Sequence, residues 1–152
     1  MRKDSWTAAD DFSEKQGANQ WFYERPMNLQ LVWANGRWQE AADVDYPYIG
    51  PGILHPGLVN NQAQDAELRW DAPQAGTIRI TGPVARHEVP RGDGVRVRIT
   101  KNHAKIWPSG GTMADAWQTL ARDDTVGLTH DVIVPVNAGD QIRFVVNMNE
   151  GD

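Results

Sequence analysis

The chain has 152 residues, enough for one domain with a full hydrophobic core. Its apolar share of 40% and charged share of 23% are globular values and exclude a disordered segment. The net charge of −5 argues against a nucleic-acid groove, and the absence of cysteine excludes disulfides, thiolate metal sites and a cysteine nucleophile.

Met1-Arg2-Lys3-Asp4-Ser5 leads into no apolar signal core, and residues 1–9 read as a flexible tail. No later run approaches the roughly 18 apolar residues of a membrane span. An Asn-Gly pair in Ala34-Asn35-Gly36-Arg37 suits the positive φ angles of a type I′ hairpin turn. Tyr46-Pro47-Tyr48-Ile49-Gly50-Pro51-Gly52 is dense in Gly and Pro and reads as a long, stiff surface loop.

From residue 66 onward the pattern is period two, the mark of strands with one buried face. It runs through Ala66–Trp70, Thr77–Thr81, Val95–Ile99, Leu128–Val134 and Gln141–Val146. Turn residues separate these runs: Ala72-Pro73-Gln74-Ala75-Gly76, Pro90-Arg91-Gly92-Asp93-Gly94, Lys101-Asn102-His103 and Asn137-Ala138-Gly139-Asp140. A short helix is expected within Met113–Arg122, with Trp117 packed by it. Eight or more short strands make an all-β, antiparallel β-sandwich with at most one short helix. No internal repeat breaks the chain, so it is expected to form a single domain over residues 1–152.

Seven tryptophans stand against three phenylalanines and three tyrosines. Tryptophan is costly to bury because its indole N–H needs a partner, so an excess points to binding flat ligands by their faces. Trp70 reads as core. The stretch from Trp33 to His55 combines rings (Trp33, Trp38, Tyr46, Tyr48) with polar groups (Gln39, Glu40, Asp43, Asp45, His55). A pyranose has C–H groups on one face for a ring to cover, and edge hydroxyls for the polar groups to bond. Trp107, followed by Pro108-Ser109-Gly110-Gly111, reads as a second aromatic loop.

Strand alternation places Arg69, Arg79, Arg96, Arg98 and Arg143 opposite the apolar faces of their strands. Such a row could read an acidic polysaccharide bidentately, or could pair with Glu67, Asp71, Glu88 and Asp131 on neighbouring strands. Arg96 and Arg98 are taken as ligand residues. Catalytic chemistry finds less support. His55, His87, His103 and His130 show no metal spacing. Nothing selects a pair from Glu40, Asp43, Asp45 and Glu88 for glycosidase work, which needs carboxylates roughly 5 to 9.5 Å apart. No catalytic residue is assigned.

The order of features resembles jelly-roll carbohydrate-binding modules of the kind appended to bacterial glycoside hydrolases and polysaccharide lyases. The resemblance covers residues 10–148. It rests on Asp11-Phe12-Ser13, Gln16-Gly17, Trp21-Phe22-Tyr23, His55-Pro56-Gly57 and the hairpin Arg69–Gly82. Gly94–Ile99, Ile106-Trp107 and the closing Ala138–Val146 complete it. It implies a jelly roll and a non-catalytic module that binds a plant, algal or microbial polysaccharide and targets an attached enzyme. It also implies a structural calcium ion, for which Asp10, Asp11, Asp140 and Asp152 are the oxygen donors near the chain ends. A monomer is expected, without nucleic-acid or membrane partners. A chain stopping at Asn149-Glu150-Gly151-Asp152, right after a strand, fits an extracellular module cut from a longer secreted protein. The alternatives are a small polysaccharide-acting enzyme using loop carboxylates or His55, and an adhesive or structural module of a surface or tail-fibre protein.

Overall fold

In the computed structural model, which describes residues 4–60, 62–86, 94–109, 116–121, 123–124 and 126–148, every period-two run is a strand. The strands are β1 (Trp21–Arg25), β2 (Leu29–Gln30), β3 (Val32–Ala34), β4 (Arg37–Ala41) and β5 (Val44–Gly50). They continue as β6 (Ile53–His55), β7 (Gly57–Val59), β8 (Gln62–Gln64), β9 (Ala66–Asp71) and β10 (Gly76–Val84). The last are β11 (Val95–Lys101), β12 (Ala104–Trp107), β13 (Gln118–Leu120), β14 (Leu128–Val136) and β15 (Gln141–Met148). All pairings are antiparallel, and several sheets pack on one another as the expected all-β sandwich.

The largest sheet has seven strands, ordered β12-β11-β15-β9-β1-β2 with β13 also paired to β11. A four-stranded sheet runs β3-β4-β5-β6, and β10-β14 and β7-β8 form two-stranded ribbons. Alternation sorts each strand. On the inner side of the large sheet lie Trp21, Tyr23, Leu68, Trp70, Ile99 and Ile142. They pack with Ile80, Val134 and Val136 of the β10-β14 ribbon and with Trp38 and Ile49 of the four-stranded sheet.

The turn chemistry is as read from the residue types. Asn35 and Gly36 both take positive φ (55° and 78°) between β3 and β4, as a type I′ hairpin requires. Asn102 and His103 do the same (49° and 71°) between β11 and β12. Asp140 closes its turn by accepting the Asn137 backbone N–H at 2.8 Å. The turn at Pro90–Gly94, apart from Gly94, lies outside the described residues, as do His87 and Glu88.

Three expectations are corrected. The stretch Tyr46–Gly52 is not a long loop: residues 46–50 lie in β5, and Pro51-Gly52 is the tight turn into β6 of the four-stranded sheet. Pro47 fits inside it because the pairing of β4 with β5 is irregular there, so its missing N–H breaks no regular ladder. The described part of Met113–Arg122 contains no helix: residues 118–120 form β13, and Trp117 packs on arginines instead. Within the presumed tail, Trp6 and Ala8 pack on the core, with the Trp6 ring edge-on to Trp70 at 5.2 Å.

Candidate ligand-binding site

The four-stranded sheet divides the predicted aromatic set between its two faces. Trp33 pairs with Trp38 across β3 and β4, and Trp38 pairs with Ile49, so these three share the inward face. Trp38 is core: it is 4% exposed and stacked on Tyr23 at 5.0 Å and 8°. Its indole N–H donates to the Ser13 carbonyl at 2.7 Å. That overturns its assignment as a ligand ring. Trp33 leans on Phe12 and Trp38 and is 37% exposed.

The opposite face gathers the rest. Gln39, Tyr48 and His55 are successive cross-strand partners on β4, β5 and β6. The Tyr48 and His55 rings stack at 5.1 Å and 19°, and Tyr46, 43% exposed, lies 4.6 Å from His55 and 5.4 Å from Tyr48. Arg37, which the residue types alone did not single out, holds this group together. Its guanidinium lies 4.1 Å from the Tyr48 ring centre and 5.9 Å from that of Tyr46, and it pairs with Asp45 at 3.4 Å. The signal was available: Arg37 stands two residues before Gln39 on a strand that the Asn-Gly turn begins.

Gln39 is fully buried and cannot touch a ligand. Its amide donates to the Ala41 and Ala42 carbonyls and accepts from Arg37 Nε, so it positions Arg37. His55 Nδ1 faces the Pro56 carbonyl and must carry the proton there, which leaves Nε2 as an acceptor in the neutral ring. Gly57 permits β7 to pass directly beneath: a Cβ there would meet Tyr46 Cβ at 2.5 Å and its carbonyl carbon at 2.9 Å. The result is a surface of two phenol rings and an imidazole, rimmed by a cation and a carboxylate.

Trp107 is not on an open loop. It ends β12, half-buried against the core, with its ring 5.5 Å from that of His130. Arg96 and Arg98 do share a face, as expected, and both lie over Trp117, at 5.1 and 4.1 Å. Arg96 donates to Asn147 Oδ1 at 2.6 Å, and the Asn147 amide donates to Asp65. Arg79 stands apart on the β10-β14 ribbon, paired with Asp131 at 2.7 Å in solvent.

The outer face of the large sheet is crowded with charge. Glu24 and Arg143 are each 1% exposed, and Arg143 Nε lies 3.3 Å from Glu24 and 3.9 Å from Glu67. Arg69 holds both Glu24 and Asp71 at 2.8 Å. Burial, reinforced by the charges of Asp65 and Glu24 and opposed by Arg143 and Arg98, pushes the Glu67 carboxyl up to about 7. Unfolding releases this group to its ordinary value of 4.5, so between the two values the folded state holds the extra proton. Folding stability should therefore fall as pH rises through that window, by about 3 kcal/mol in all from this group alone. Glu67→Gln should abolish most of that slope and stabilise the domain at about pH 8 more than at about pH 4. Urea titrations of both proteins across this range check it; parallel pH profiles would refute it.

Three of the four expected calcium donors, Asp10, Asp11 and Asp140, lie among the described residues. Asp11 accepts the Thr7 backbone N–H and the Trp21 indole N–H on one oxygen, and Asp140 is engaged by Asn137, Asn102 and Lys101. Asp10 is exposed, Asp152 lies outside the described residues, and no three potential ligands cluster among the described residues.

Comparisons with protein-family models, with curated proteins and with solved structures find no match to this chain.

Proposed function

We propose that this β-sandwich is a non-catalytic carbohydrate-binding module, and that Tyr46, Tyr48, His55, Arg37 and Asp45 form its sugar site. One observation carries the reading: the exposed Tyr46 ring stands within 5.4 Å of two further rings, beside a charged pair. The rings offer apolar area to the C–H face of a pyranose. Arg37 donates, Asp45 accepts, and His55 Nε2 accepts, so the polar edge matches hydroxyls that do both. The site lies on a sheet rather than a loop, so little ordering accompanies binding. A polysaccharide is the natural ligand class, and attachment to a carbohydrate-active enzyme outside the cell is the setting in which such a module works.

Tyr46→Ala should weaken glycan binding about tenfold, or roughly 1.4 kcal/mol, with little change in melting temperature because the ring is so exposed. Affinity electrophoresis with a polysaccharide panel reads the first effect and thermal unfolding the second. Full retention of affinity would remove the aromatic site. Reducing ends or unsaturated uronate appearing during the incubation would replace the binding module with the small enzyme.

A further inference from the structure

Among the described residues, the outer face of the seven-stranded sheet holds three buried hydrogen-bonding atoms without a partner: Arg143 Nη1, Arg98 Nε and Thr100 Oγ1. They sit close in the register. Thr100 is the direct cross-strand partner of Arg143, and Arg98, two residues back along β11, is opposite Val145, two residues along β15. All four side chains therefore share one face. Arg143 is 1% exposed and Thr100 3%, so neither can turn to solvent for a partner. Arg143 uses Nε on Glu24 and Nη2 on the Asn28 side chain, which leaves Nη1 as a spare buried donor. An unfilled buried donor is costly, and native proteins keep few of them without a reason.

Two spare guanidinium N–H groups and a hydroxyl together call for an acceptor with more than one oxygen, and a carboxylate is the compact group that supplies it. Glu67, its side chain 14% exposed, and the partly exposed Arg98 and Asn147 lie on the same face, with the Arg98 guanidinium 4.1 Å from the Trp117 ring centre. We propose that this face binds a uronic-acid residue of a polysaccharide, its carboxylate received by Arg143, Arg98 and Thr100. The proposal rests on the glycan-binding reading and adds the sugar class to it.

The charged neighbours set its response to pH. Facing the site are Glu24 from β1, Glu67, Arg69 and Asp71 from β9, Asp65 just before that strand, Arg143 from β15, and Arg96 and Arg98 from β11. Four arginines and four carboxylates balance when all are ionised. Protonation of Glu67 tips the face positive and turns a repelling carboxylate into a donor for the ligand. Uronate binding thus strengthens on the acid side of neutrality and weakens above it.

The test uses pectate, alginate and hyaluronan, each beside its own carboxyl-reduced form, by isothermal titration at about pH 6 and about pH 8. At least one acidic polymer should bind at least about tenfold tighter than its reduced form, and several-fold weaker at the higher pH. Thr100→Val and Arg98→Met should each weaken that binding about fivefold or more, with melting temperature as the control for folding. Glu67→Gln should bind equally at both pH values. Binding of reduced forms alone, abolished by Tyr46→Ala, would overturn the uronate site and leave the aromatic one standing. Failure of every polymer to bind would overturn both. Acidic binding that Thr100→Val, Arg98→Met and Glu67→Gln all leave unchanged would also overturn the proposal.

Discussion

Trp38→Ala should destabilise the domain by about 3–5 kcal/mol, as much as Trp70→Ala, and not act as a clean binding mutation. The indole is 4% exposed and Trp70 is 6% exposed, so both substitutions open cavities in one continuous core. Trp38 also loses a stacked contact with Tyr23 and an edge contact with Trp33. The Ser13 carbonyl, which accepts the indole N–H at 2.7 Å, is left without that donor. Trp38→Phe separates these contributions: it keeps a stacking ring and removes the N–H, so it should cost about 1–3 kcal/mol. Chemical denaturation of the three variants checks the order. A Trp38→Ala protein that melts like the parent would restore Trp38 to the ligand surface and undo the inward face assigned to β4.

The strands were legible because their apolar residues alternate, and period two admits one geometry. Asn35-Gly36 was legible because two consecutive positive φ angles leave few choices of residue. Tyr46–Gly52 misled because Pro47 and the Gly50-Pro51-Gly52 run are ordinary loop signals, whereas here irregular pairing absorbs the proline within a strand. Neighbouring rings were also ambiguous. Trp33 and Trp38 face each other across a hairpin, and only Tyr23 and Ser13, far away in the chain, decide that Trp38 is the buried one. Gln39 looked like a sugar ligand by type, but its amide is consumed by two local carbonyls. Tyr46, Tyr48, Asp45 and His55 do converge, held by Arg37, whose role depends on rings it meets across strands. The arginine row was sorted to the correct face by alternation alone. The burial of Arg69 and Arg143 was not legible, because it depends on side chains from several strands closing over one another.

Arg143→Met should cost about 3–5 kcal/mol, since it removes the cation from a buried ion pair and leaves the anion in place. Glu24 is 1% exposed and, among the described residues, keeps Arg69 Nη1, at 2.8 Å, as its charged partner. The surviving contact holds the expected loss toward the lower end of that range. Glu67 suffers too, because Arg143 is among the charges that favour its ionised form. Without it the Glu67 carboxyl should titrate above its value of about 7, so the variant should lose more stability at about pH 8 than at about pH 5. Glu24→Gln in the Arg143→Met background removes the stranded charge and should recover part of the loss. Read as a double-mutant cycle, the pair should couple by about 1–3 kcal/mol. Additive losses from the two substitutions would mean that Glu24 and Arg143 do not interact across the sheet. The charged face would then be held by Arg69 and Asp71 alone, and Arg143 would act only through the packing of its stem.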